Sequence, residues 1–272
     1  MNLQRTQIAY TMRTVEYGTS ESQVGDLYVP RAPRPPVVCL LHGGFWRMPY
    51  NRNELEPVAR DLAARGFAVW NLEYRRLGEP GGGWPETFQD VSTGIDHLAT
   101  LVADGTELDL DRVTVVGHSA GGHLALWSGA RNSRQGVPRR PARVHPAAVA
   151  GLAAIVDLER NFALSAGNSA VGELLQGSPE KQPERYAAAS PIALLPLGAR
   201  QLIVHGAADE ALPVEMARDY VRAARVAGDS VQYCELARAG HMDFLDPSSE
   251  AHATLCRWLC WLCEPADAPA HP

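Results

Sequence analysis

The sequence predicts an α/β chain: a mostly parallel central sheet, helices on both of its faces, and a small cap insertion. Three observations carry this expectation. From residue 37 onward, short β-branched or apolar runs alternate with amphipathic helical stretches, the pattern of a sheet whose crossovers are helices. Residues 37–41 are apolar throughout, and Val113, Val115 and Val116 form a second such run, as strands covered on both faces do. Finally, glycine-rich polar segments at 42–46, 117–121, 205–209 and 239–241 each follow a strand-like run directly. In open α/β sheets that edge is where ligands gather.

Taken in order, residues 8–17 and 24–29 read as two extended segments, followed by a proline-rich connector at 30–36. The buried run 37–41 enters His42-Gly43-Gly44-Phe45-Trp46 without a linker. Residues 53–66 suit a helix with Gly66 as its C-cap, and 67–72 the next strand. Residues 86–103 place Phe88, Val91, Ile95, Leu98 and Val102 near 3.6-residue spacing, a second helix. Residues 112–116 form the central strand, 117–121 a turn, and 122–130 a helix. The segment 131–146 is basic and proline-rich and reads as a solvated loop. Residues 147–156 read as a strand ending at Asp157. The alternation then breaks over 158–197, the cap insertion. Residues 201–204 and 231–236 are the last two strands, with a helix from Pro213 to Ala227 between them and a closing helix over 249–263. The domain spans 1–264, and 265–272 reads as a flexible tail.

Composition narrows the function. The chain has 272 residues, 46% of them apolar, and a net charge of −6, which suits one large domain. No basic field speaks for nucleic acid. No run of apolar residues is long enough for a membrane span, and the first residues lack a signal-peptide core. Five cysteines, an odd number, suggest thiols in a reducing compartment, and a cytoplasmic setting is expected. Cys256, Cys260 and Cys263 share one helical face. With no histidine or fourth cysteine read at ligand spacing, a packed face is expected and no metal.

The chemistry concentrates in four places. Gly117-His118-Ser119-Ala120-Gly121 fits G-x-S-x-G in the strand–turn–helix setting that a strained nucleophilic serine requires. The His42–Trp46 segment gives a backbone that turns sharply and offers amides to a ligand. Asp209 follows the penultimate strand, and His241 follows the last strand behind Gly240. Serine needs a base because its hydroxyl is a weak nucleophile at neutral pH. His241 is the candidate base and Asp209 the candidate that orients it. Asp157, Asp243 and Asp246 are rivals for the acid, and His118, His123 and His205 for the base. His118 and His205 read as turn residues packed at strand ends, and His123 as facing away from attack.

The order Ser119, Asp209, His241 is that of the α/β-hydrolases, which the chain resembles over nearly its whole length. More narrowly it resembles the esterase/lipase and kynurenine formamidase group, whose H-G-G-x-W motif matches His42–Trp46 and whose elbow matches 117–121. That resemblance implies oxyanion donors at the amides of Gly44, Phe45 and Ala120. Hormone-sensitive-lipase relatives carry H-G-G-G; Phe45 departs from this, although only its amide is needed. The resemblance implies a serine hydrolase, without cofactor, that cleaves a small-molecule ester through an acyl-enzyme. An aryl formamide is the alternative substrate. An aminopeptidase is disfavoured for want of an extra domain and an acidic pair for the α-ammonium. A binding protein of this fold is disfavoured because all three catalytic candidates stand. Trp46, Phe45 and Trp84 are the candidates for an aromatic wall around the substrate, with core or loop packing as the alternative for each, and a short insertion argues against long-chain lipids. A homodimer is left open.

Overall fold

The computed structural model describes residues 8–132, 141–164 and 169–264. One eight-stranded sheet runs in the order β1-β2-β4-β3-β5-β6-β7-β8. Its strands are β1 (Tyr10–Glu16), β2 (Val24–Pro30), β3 (Pro36–Leu41), β4 (Ala68–Leu72), β5 (Asp109–His118), β6 (Ala148–Leu152), β7 (Arg200–Gly206) and β8 (Val231–Leu236). β1 and β2 form an antiparallel hairpin that docks antiparallel on β4. Every pairing from β4 through β3, β5, β6 and β7 to β8 is parallel.

The continuous apolar strands are explained by two cores, one on each face. Successive side chains of a strand point to opposite faces. Val37, Cys39 and Leu41 join one core while Val38 and Leu40 join the other. Val149 and Ile203 likewise face the first core, and Ala148, Ala150, Leu202 and Val204 the second. The first core is closed by α2 (Glu86–Ala103), α3 (Ala120–Gly129) and α7 (Val214–Val226). The second is closed by α1 (Glu56–Ala64) and α8 (Glu250–Leu262). All ten residues of α3 are buried, so the helix behind Ser119 lies inside the molecule.

Several boundaries differ from the sequence reading, among them β5, which runs over Asp109–His118 and so takes in Gly117 and His118 from the expected turn. The stretch 53–66 divides into a 3₁₀ turn at Arg52–Leu55 and then α1. Pro57 lacks an N–H and fits only a first helical turn, so the regular helix begins beside it. β6 stops at Leu152, because Ala153 turns with φ 45°. α3 begins at Ala120 rather than Gly122. Among its described residues the insertion holds three short helices, α4 (Leu158–Leu164), α5 (Ala170–Leu174) and α6 (Pro183–Ala189), and a 3₁₀ turn at Pro191–Leu194. The middle of the basic loop (133–140) and the tail 265–272 lie outside the described residues.

Candidate active site

Ser119 sits between β5 and α3 with φ 55° and ψ −117°, a region that a side-chain-bearing residue enters only under constraint. Its N–H donates to Leu152 O at 2.9 Å and its carbonyl accepts from His123 N at 3.0 Å. The strain is therefore held by bonds to β6 and to the first turn of α3. The flanking glycines are steric necessities. A Cβ on Gly117 would stand 2.0 Å from Gly121 O, and one on Gly121 would stand 2.1 Å from Leu41 O.

Asp209 follows β7. One carboxylate oxygen accepts the N–H groups of Ala211 and Leu212 at 2.8 and 2.9 Å. The other accepts from His241 Nδ1 at 2.8 Å. The Asp209 side chain is fully buried. Burial pushes its pKa up, but the hydrogen bonds from His241 and the backbone outweigh it, and the group stays below the ordinary carboxylate range. Sequence reasoning treated Asp209 and His241 as partners, and the fold brings them together across 32 residues. Each rival acid is engaged locally. Asp157 accepts from Arg160 N, Asp243 from Gly240 N, and Asp246 from Ser248.

The rival histidines have structural tasks. His118 donates through Nε2 to His241 O at 2.8 Å and stacks on Phe244, so it supports the loop that carries His241. Burial, then the nearby His241, lower its pKa to about 4. His123 donates to Ala189 O in the cap at 3.0 Å, and burial holds it near 4. His205 meets Leu212 O at 3.1 Å.

Residues Gly44, Phe45 and Trp46 take φ of 89°, 56° and 56° in succession. This left-handed run turns the chain back on itself, closed by Arg47 N on Gly44 O. Among the described residues, the N–H groups of Gly44 and Phe45 meet no hydrogen-bond acceptor. A Cβ on the neighbouring Gly43 would lie 3.3 Å from Ser119 Cβ, which fixes this loop against the serine.

The loop rests on a pair that sequence reasoning missed. His42 Nε2 bonds Glu73 Oε1 at 2.7 Å, both side chains buried. The imidazole stacks on Tyr74 at 4.4 Å, and Tyr74 OH donates to His42 O. Burial raises the Glu73 pKa, and the His42 bond leads the interactions that bring it below its ordinary value. The only local signal was a polar Glu73-Tyr74 directly after a buried strand.

The expected aromatic wall needs one correction. Trp46 is fully buried, edge-on to His123 at 5.1 Å, because the left-handed run swings its ring into the core. Phe45 is the exposed ring there, at 47%. Trp84 is half-buried against Phe88 at 5.0 Å. The cap touches both halves of the site, through an Arg47–Glu173 ion pair and Trp127 Nε1 on Ala188 O.

Comparison with known proteins places the chain by family and fold. The BD-FAE family model matches residues 26–223. Esterase LipC of Mycobacterium tuberculosis is 31% identical over 250 residues, which is 86% of this chain and 60% of LipC. Kynurenine formamidase of Danio rerio is 26% identical over 120 residues, 43% of this chain and 38% of that protein. The chain thus spans 60% of the length of LipC and 38% of that of the formamidase, less than two thirds of either. A truncated carbohydrate esterase from gut microbiota superposes with a TM-score of 0.79 at 20% identity, covering 95% of this chain and 98% of that one. The shared architecture is the α/β-hydrolase fold.

Proposed function

The chain belongs to the BD-FAE family, and from that membership we propose that it is a serine hydrolase of small carboxylic esters, working through an acyl-enzyme. The observation that carries the reading is the Asp209–His241 hydrogen bond of 2.8 Å on the same sheet edge as a strained Ser119. With Nδ1 committed to Asp209, Nε2 is the nitrogen that takes the Ser119 proton. The freed Oγ attacks the substrate carbonyl. The N–H groups of Gly44, Phe45 and Ala120 receive the negative charge that develops on its oxygen. Each such donor is worth about 3–4 kcal/mol in the transition state. His241 then protonates the departing alcohol, and water enters by the reverse steps to release the acid. Asp209 holds the tautomer and stabilises the imidazolium.

The likeness to LipC, which is named an esterase, supports the ester. The His42–Trp46 motif and the formamidase relative support an aryl formamide as the second reading. A cytoplasmic setting belongs to the same proposal, supported by five cysteines of which none forms a disulfide. No helix among the described residues is long and apolar enough to cross a membrane.

The test is a panel of p-nitrophenyl esters of rising acyl length beside N-formylkynurenine, with wild type and Ser119→Ala. Fast turnover of the short esters, lost in Ser119→Ala, is expected. Rapid deformylation with poor ester turnover selects the formamidase reading. Wild-type turnover by Ser119→Ala rejects both.

A further inference from the structure

A second cluster of chemistry-bearing side chains lies on the other face of the sheet from α3. Reading Cys256, Cys260 and Cys263 as a packed face overlooks His252, one turn before Cys256 on α8. In the fold, Asp61 of α1 joins them. His252 Nε2 lies 2.6 Å from Asp61 Oδ2 and 3.2 Å from Cys256 Sγ, and Sγ lies 4.0 Å from Oδ2.

The arrangement is not a second proton relay. A relay imidazole uses different nitrogens for the acid and the nucleophile. Here both partners meet Nε2, while the buried Nδ1 has none. One oxygen, one nitrogen and one sulfur therefore converge on a single point, a donor set suited to a cation of borderline softness such as Zn²⁺. Tetrahedral zinc holds such ligand atoms roughly 3.3–3.6 Å apart. The observed separations fall on both sides of that span, so shifts of under about 1 Å complete the geometry.

Access and charge also fit. His252 and Cys256 are nearly fully buried, yet Cys256 lines an open groove of about 890 Å³ together with Arg65 and Cys260. An ion has an entry path, and a water or Cys260 has room for the fourth position. Arg65 shares the Asp61 carboxylate but already reaches Oδ1 at 3.2 Å, so it can yield Oδ2. A dication is balanced by one carboxylate and one thiolate.

We propose that Asp61, His252 and Cys256 form a Zn²⁺-class site that staples α1 to α8. Binding breaks the Cys256 S–H bond and forms a metal–sulfur bond, with one proton released to solvent per ion. The proposal stands apart from the esterase reading, and neither result decides the other.

The test uses the full chain, stripped with chelator and titrated with Co²⁺, Zn²⁺ or Mg²⁺ alone. One equivalent of Co²⁺ is expected to give a near-ultraviolet thiolate charge-transfer band that Zn²⁺ abolishes by displacement. Zn²⁺ is expected to raise Tm, and Mg²⁺ to leave it unchanged. Cys256→Ala should remove the band and Asp61→Asn should weaken Zn²⁺ binding at least tenfold, while Ser119→Ala keeps both. A wild-type protein with no stoichiometric band overturns the site, as does a band that survives Cys256→Ala. Should Cys256→Ala not fold, alkylation of the wild type followed by peptide mass spectrometry decides. Tenfold protection of Cys256 by Zn²⁺ supports the site, and equal labelling with and without metal overturns it.

Discussion

Asp209 keeps its charge although its side chain is fully buried, because three N–H groups point at it, two from Ala211 and Leu212 and one from His241. A buried carboxylate held this way orients an imidazole without accepting its proton. Asp209→Asn preserves the shape but presents the wrong hydrogen-bonding pattern to Nδ1. The expected outcome is an ester kcat about 10⁴-fold lower with KM little changed, read by steady-state kinetics beside an unaltered circular dichroism spectrum. A variant within tenfold of wild type would assign the acid elsewhere. Glu73 works at one remove, under His42. Glu73→Gln leaves the buried imidazole without its carboxylate, and a loss of about 3 kcal/mol in urea unfolding is expected. An unchanged urea midpoint would show that the pair supports nothing.

At the scale of elements, the site is a set of turns forced on the chain by packing. β5 enters α3 through an elbow so tight that Gly121 rests against the end of β3. Gly121→Ala pushes a methyl into backbone that has no free rotation to yield. Destabilisation of at least about 2 kcal/mol is expected by urea unfolding, together with loss of ester turnover. A stable, active Gly121→Ala would show that the elbow is looser than its contacts imply. The loop at 44–46 is the complementary case. Its three left-handed residues leave the amides of Gly44 and Phe45 without an acceptor among the described residues, and the same turn buries Trp46.

Over the whole molecule, buried neutral histidines give stability a definite pH dependence. His118 and His123 lie near pKa 4 in the fold, chiefly from burial, against about 6.5 in an unfolded chain. The unfolded state therefore takes up protons that the folded state refuses. Their contribution is complete above about pH 6.5 and falls as pH drops toward about 4. Each adds a slope of up to about 1.4 kcal/mol per pH unit. Urea midpoints measured from pH 7.5 down to 5 should fall steadily below 6.5; a flat profile would contradict the burial of both rings. The depressed carboxylates Asp209 and Glu73 act in the same sense but only in more acid solution, since their stabilisation is lost as pH falls through their folded values.

The same scale explains what could be read from the sequence. The strand positions along the chain, the elbow, the glycine loop and the Asp209 and His241 positions each carry a local sign, an apolar run followed at once by a turn residue with chemistry. His42–Glu73, His118 on the His241 carbonyl, and Asp61–His252 carry no such sign. Their partners stand 31, 123 and 191 residues apart, and only the sheet topology brings them together. Trp46 was misjudged for a related reason: its direction depends on three consecutive positive φ angles, which no spacing rule encodes.

The central claim is that Ser119 becomes covalently acylated. Acid-quenching the wild-type protein during turnover of a short p-nitrophenyl ester, followed by peptide mass spectrometry, tests it directly. The account predicts one acyl group on the peptide that contains Ser119, accumulating further in His241→Ala only if that variant still acylates, and absent from Ser119→Ala. Turnover of the ester with no adduct at Ser119, or with the acyl group on another residue, would contradict it.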